Sequence, residues 1–169
     1  MQKTKQIFNF EVLIIFDNLF SRMIKFIKPN YLETFKEVYN LIENPEFWCF
    51  VEECHKKIFV LEDLPCLFEE IRSMDLRKQH LGVIGLRKLL EYRNQPLIQQ
   101  ISDGNIVPRL IEILKMDDFP YLKYEVAWIL ADLSGENTFH IQIIVDNGGI
   151  TSLIKLLDSK FPVILEQVK

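Results

Sequence analysis

The chain has 169 residues, 49% of them hydrophobic and 26% charged, with a formal net charge of −4. Such a composition can bury a core and argues against a disordered chain, and the acidic balance argues against nucleic acid as a partner, because phosphate binding needs a basic face. Residues 1–60 balance eight basic against eight acidic side chains, whereas residues 61–169 carry twelve against sixteen and hold the whole excess. A solvated acidic face is the plainer reading of that excess, and a basic peptide partner the sharper one.

Lys3 and Lys5 precede an apolar stretch from Ile7 to Phe20, the outline of a signal peptide. Glu11 and Asp17 interrupt it and no small-residue cleavage site comes after it, so an amphipathic helix fits better. The stretch is too short and too charged to span a bilayer, and no membrane partner is expected. Helices are predicted over about 5–27, 30–43 and 46–61, rich in Phe and Ile (Phe8, Phe10, Phe16, Phe20, Phe26, Ile27). Residues 1–61 are expected to form a helical cap over the exposed apolar end of the helices downstream.

Cys49, Cys54 and Cys66 are an odd number with no paired framework, which points to a reducing compartment. With His55 they could be read as zinc ligands, but the spacing fits no compact pair of pairs. Buried structural thiols are expected, with no metal and no cofactor.

Self-similarity begins near residue 62. Pro65-Cys66-Leu67-Phe68-Glu69-Glu70-Ile71 aligns with Pro108-Arg109-Leu110-Ile111-Glu112-Ile113-Leu114, and that with Thr151-Ser152-Leu153-Ile154-Lys155-Leu156-Leu157; both intervals are 43 residues. That period lies in the range of armadillo and HEAT units. Each unit predicts a short helix, starting where a proline's missing N–H costs nothing. A turn comes next (Met74-Asp75, Lys115 to Pro120, Asp158 to Pro162), and then a longer helix. In the second unit Leu122, Val126, Ile129, Leu130 and Leu133 make its apolar stripe. Linking helices over Pro96–Ser102 and Thr138–Val145 close at Gly104 and Gly148-Gly149, where glycine supplies a left-handed backbone. No run demands a sheet. The expected fold is all-α: a right-handed armadillo-type superhelical solenoid of about two and a half repeats (about 62–103, 104–146 and a partial 147–169), with an N-terminal helical cap and a concave groove. The last helix is expected to leave Ile150, Leu153, Leu156 and Leu157 uncovered, which would favour self-association through the exposed repeat end.

Several strings then resemble one family. Gly85-Leu86-Arg87-Lys88-Leu89-Leu90 with Arg93-Asn94-Gln95-Pro96 looks like the end of the first importin-α repeat. Asn105-Ile106-Val107-Pro108-Arg109-Leu110-Ile111-Glu112 looks like the start of the second, and Tyr124-Glu125-Val126-Ala127-Trp128-Ile129-Leu130 like its groove-lining helix. Val145-Asp146-Asn147-Gly148-Gly149-Ile150 resembles the junction into the third. The resemblance covers about residues 62–169 and is collinear throughout. It implies an adaptor that reads nuclear localisation signals, short extended peptides rich in Lys and Arg, and that works in the cytoplasm and nucleus.

In that family tryptophans one helical turn from asparagines line the groove. The indoles form slots for lysine stems and cationic heads, the amides hold the peptide backbone, and acidic residues select basic side chains. The resemblance implies peptide-binding roles for Trp128, Asp132, Glu125, Gly135 and Asn137. Asp132 stands where the family has Asn, and an ionised Asp accepts but cannot donate. Ser134-Gly135-Glu136-Asn137-Thr138 replaces the family's Ser-Gly-Thr-Ser loop, with Gly135 one place early. Residues 1–60 carry no basic cluster like the family's importin-β-binding segment, so an importin-β site is not assigned. Lys169 falls just before the next groove tryptophan would be due, so at most one Trp slot is expected and the chain reads as truncated.

Trp128 beside Ile129 and Leu130 could also be core, but Asp132 at i+4 shares its face, and a carboxylate beside a core indole is unusual. His55, His80 and His140 are expected at surfaces or helix ends, and Ser102, Ser134 and Ser152 as helix caps. No nucleophile-elbow, phosphate-loop or zinc-protease pattern occurs, and Glu69-Glu70 and Asp117-Asp118 read as solvated, so no enzyme is expected. The alternative to an adaptor is an armadillo scaffold subunit that has lost the cargo site.

Overall fold

The computed structural model describes residues 45–92, 95–116, 118–136 and 138–158. The helices expected over 5–27 and 30–43 lie outside the described residues, as do Asn137 and everything after residue 158. Within them the order is α1 (Pro45–Lys56), a 3₁₀ turn (Leu61–Asp63), α2 (Leu64–Arg72), α3 (Leu76–Leu90), α4 (Gln95–Asp103), α5 (Val107–Leu114), α6 (Pro120–Glu136), α7 (Thr138–Asp146) and α8 (Gly149–Asp158). No strand occurs among the described residues.

Local chemistry sets the boundaries. Pro65 and Pro108 lie in the first turns of α2 and α5, where their missing donors are harmless. Asp75 caps α3, its Oδ1 accepting from the backbone N–H groups of Arg77 at 2.9 Å and Lys78 at 3.1 Å. The two glycine stops differ from each other. Gly148 adopts a left-handed φ of 75°, as expected. After α4 it is Asn105, with φ 47°, that turns left-handed, while Gly104 is needed for room: a Cβ there would run into the Phe68 ring.

The short helices stack on one another, α2 beside α5 and α5 beside α8, and the long helices α3 and α6 form a second layer packed on them. α7 packs against α5, α6 and α8. Between the layers runs a continuous aliphatic core that includes Leu67, Ile71, Val83, Leu86, Leu110, Ile113, Val126, Ile129, Leu133 and Ile144. Each fully buried Leu, Ile or Val stabilises this arrangement by about 1.5–3 kcal/mol. Side chains tie successive units across the stack. Arg109 on α5 donates to the carbonyls of Ile71 and Ser73 at the end of α2, and Lys115 Nζ donates to Asn147 O before α8. Ser102 Oγ donates to Ile98 O at 3.0 Å, so its 2.7 Å contact with His140 Nε2 is a bond donated by the imidazole, joining α4 to α7.

Several expectations are corrected here. His80 and His140 are buried (1% and 0% exposed), because each finds a polar partner inside, whereas His55 lies half-buried in the last turn of α1, a helix end as expected. Only Cys54 is a buried thiol, pushed up to about 11 by that burial, while Cys49 and Cys66 are exposed because they fall on the outward faces of α1 and α2. Ser102, Ser134 and Ser152 bond back to carbonyls three or four residues earlier rather than capping N-termini. Leu153 and Leu156 are buried, covered by the stacked helices rather than left open; Ile150 is half-buried and Ile154 exposed, and the Leu157 side chain lies outside the described residues.

Candidate functional site

α6 has two faces. Leu122, Val126, Ile129, Leu130 and Leu133 point into the aliphatic core and are fully buried. Tyr121, Tyr124, Glu125, Trp128 and Asp132 fall on the opposite side at spacings of three and four, so they form one stripe up the helix. α1 lies against the lower part of that stripe. Trp48, Val51 and Cys54 of α1 cluster with Ile84 of α3 and with Tyr121 and Tyr124, and Trp128 is partly buried at the edge of the cluster. The helix expected to cap the end of the stack therefore runs onto the trough side and reaches the second unit. Lys88 Nζ holds its C-terminal end, donating to His55 O at 2.6 Å and to Lys57 O, where a cation also favours the helix dipole.

A chain of polar groups is enclosed beneath α1. Glu125 is fully buried, and Arg87 of α3, 4% exposed, brings Nε to 2.5 Å from Glu125 Oε2. Tyr121 donates its hydroxyl to Glu125 Oε1 at 2.5 Å. The Tyr121 proton is thereby used, so the 2.5 Å contact of His55 Nε2 with the same hydroxyl is donated by the imidazole. Burial lowers the pKa of His55, against the attraction of Glu125. Burial likewise pushes His80 down to about 4 and raises Tyr124 above the usual phenol range. His80 Nδ1 bonds to Leu76 O at 2.7 Å, and its ring stacks on Tyr121 and meets the edge of Phe47. Arg87 also donates to Glu91 at 2.6 Å and lays its guanidinium over the Trp128 indole, with Cζ 4.7 Å from the ring centroid.

Gly135 sits in the last turn of α6 rather than in a loop, exposed and with nothing within 4 Å of where a Cβ would be. Trp128 and Asp132 are half-buried neighbours one turn apart. Glu125 corrects the expectation of an acid facing a guest: it points inward, because Arg87 on the adjoining long helix supplies its counter-charge.

Comparison with known proteins bears on this arrangement. The chain is similar to importin subunit alpha-1a of Oryza sativa subsp. japonica, 31% identical over 107 residues that make up 63% of this chain and 20% of the relative. It is 35% identical over 107 residues to importin subunit alpha-B of Dictyostelium discoideum (63% of this chain, 21% of the relative). With importin subunit alpha-3 of Arabidopsis thaliana it shares 32% over 106 residues (63% and 20%). The chain is importin-α-like. The helical stacking makes it an armadillo solenoid, partial and divergent in this resemblance. It spans about a fifth of the length of the curated relatives it matches. No family model and no solved structure matches it.

In this importin-α-like solenoid, sequence reasoning missed Arg87, Tyr121, His55 and Trp48. A signal for the first was present. Arg87 lies at i+3 and i+4 from the apolar Ile84 and Val83, and Glu125 occupies a comparable interior place on the next long helix. Opposite charges on the inner faces of adjoining helices imply an interior pair. For α1 no signal existed, since its Phe and Trp positions fit an end cap as well as a trough wall. Among the described residues no group of three His, Cys, Asp or Glu is arranged to hold a metal, and no helix is long and apolar enough to cross a membrane.

Proposed function

We propose that this chain is an importin-α-like adaptor that holds a basic, extended peptide, a nuclear localisation signal, along the trough face of α6 for transport between cytoplasm and nucleus. The observation that carries the proposal is the Trp128–Asp132 pair. It lies half-exposed on one stripe of a long armadillo helix in a chain similar to importin subunit alpha proteins. Trp128 offers an indole against which a lysine stem packs, and Asp132 offers a carboxylate to its ammonium. A single exposed pair contributes about 0–1 kcal/mol and is screened by salt, so affinity is weak and strongest at low ionic strength. Gly135 and Asn137 are assigned to the same site in this reading. Importin-β is not assigned as a partner.

Titration of a fluorescent Lys/Arg-rich peptide at low and high salt tests the proposal. Saturable binding at low salt that is lost in Trp128→Ala supports it; no binding, or binding indifferent to that substitution, defeats it.

A specific observation favours the second reading, a scaffold subunit without a cargo site. Glu125 and one face of Trp128 are engaged by Arg87, and α1 covers Tyr121 and Tyr124. That reading expects the chain to associate with itself or a protein partner through a repeat end, and sedimentation showing a monomer at all concentrations counts against it.

A further inference from the structure

We infer that Arg87 determines what the trough can accept: by seating its own guanidinium on Trp128 it closes that indole face to a guest's cation. The subsite there takes an apolar side chain, and a basic one is admitted only a turn further on, beside Asp132. This rests on the peptide-binding reading of the same trough.

Geometry carries the inference. A guanidinium is planar, so it can stack by its face and pair by its edge at once. Arg87 lies over the indole and reaches two carboxylates at once, with Cζ 4.7 Å from the Trp128 ring centroid, Nε 2.5 Å from Glu125 Oε2 and Nη1 2.6 Å from Glu91 Oε1. It is 4% exposed and Glu125 is 0% exposed, so the cation is built in rather than passing through. A guest lysine reaching this face would find it already occupied by a guanidinium that Glu125 and Glu91 hold in place. Displacing Arg87 would strand Glu125 in the interior without its counter-charge. Tyr124 adds an aromatic contact to Trp128, ring centroids 6.2 Å apart and nearly perpendicular, which holds the indole in place. The usual preference of an indole slot for a cation is satisfied from within.

The test begins without any peptide. The chain has two tryptophans, so 5-fluorotryptophan labelling gives two fluorine resonances, assigned with Trp48→Phe. Butylguanidinium is titrated into the wild-type chain and into Arg87→Gln/Glu125→Gln, which removes both charges together and keeps amides able to bond each other. The Trp128 resonance is expected to stay still in the wild type and to shift saturably in the double variant. A saturable shift in the wild type overturns the inference, as does an unmoved resonance in a double variant whose circular dichroism is native. If that variant does not fold, Arg87→Leu/Glu125→Leu replaces it, and the wild-type arm decides alone if neither folds.

A lysine-to-norleucine scan of the bound peptide extends the test. One position should matter, weakening binding about threefold to tenfold. A second sensitive position that disappears in Trp128→Ala would also overturn the inference. Failure of every peptide to bind defeats the adaptor reading, while the fluorine titration still decides Arg87.

Discussion

Between the stacked helices the buried side chains are Leu, Ile and Val almost throughout, whereas beneath α1 the packing is made by Trp48, Tyr121, Tyr124, His80 and the Arg87–Glu125 pair. The two regions share helices: α3 gives Val83 and Leu86 to the first, and Ile84 and Arg87 to the second. Their physics differs. Aliphatic packing is non-directional and roughly proportional to area, so its parts can be changed one at a time. The cluster under α1 is a connected set of donors and acceptors in a low dielectric, where removing one member leaves another stranded. The stack thus supplies the scaffold, and the polar cluster fixes how α1 and the long helices meet at the trough.

The sharpest way to break this contrast is Glu125→Ala. It leaves the buried Arg87 charge with the exposed Glu91 as its remaining carboxylate, and should cost about 3 kcal/mol in urea unfolding. Arg87→Met/Glu125→Leu should recover most of that loss; if the two single costs simply add, the cluster is no more cooperative than the stack. Leu110→Ala, in the centre of the aliphatic core, should cost about 3 kcal/mol from lost transfer energy and the cavity left behind. It should leave the trough unaltered, as read by unchanged fluorine resonances of Trp48 and Trp128.

The pH dependence of stability belongs to the polar cluster. His80 has a folded pKa near 4 against an ordinary 6.5, so the unfolded chain takes up the proton first as pH falls. Stability is therefore full above pH 6.5 and declines below it until about pH 4. Between pH 6.5 and pH 5 the loss is about 2 kcal/mol from this group, and His55, also lowered, acts in the same direction. Urea midpoints at the two pH values measure it, and His80→Phe should flatten most of the slope. The smallest effect lies outside both regions. Gly135 is helical and exposed with open space around it, so Gly135→Ala should stabilise the chain by about 0.5–1 kcal/mol, raising the melting temperature slightly.

The helices from residue 64 onward were legible from the sequence because prolines, caps and apolar spacing act locally. Most of their starts and stops fall within a residue or two of expectation, while α6 runs on through Ser134 to Glu136 where a loop was expected. The 43-residue recurrence made the stacking legible too, since units with two apolar faces have few ways to bury both. What stayed hidden were the residues whose role depends on a neighbour far along the chain. Arg87 and Glu125 sit at interior-facing spacings, but that they meet each other shows only once the long helices are set side by side, and His80 and His140 look like surface histidines until their partners arrive. Cys49 and Cys66 misled in the other direction, because an apolar neighbourhood in sequence is not an apolar neighbourhood in space.

The sequence by itself determined an all-α armadillo stack similar to importin-α and the placing of Trp128 and Asp132 on one helical face, since these come from periodicity and from order along the chain. Only the tertiary structure decided that Glu125 turns inward, that Arg87 lies on the Trp128 indole, and that α1 lies along the trough. Those outcomes depend on which helix faces which at distances of a few ångströms, where a buried charge must find its opposite or not be buried at all.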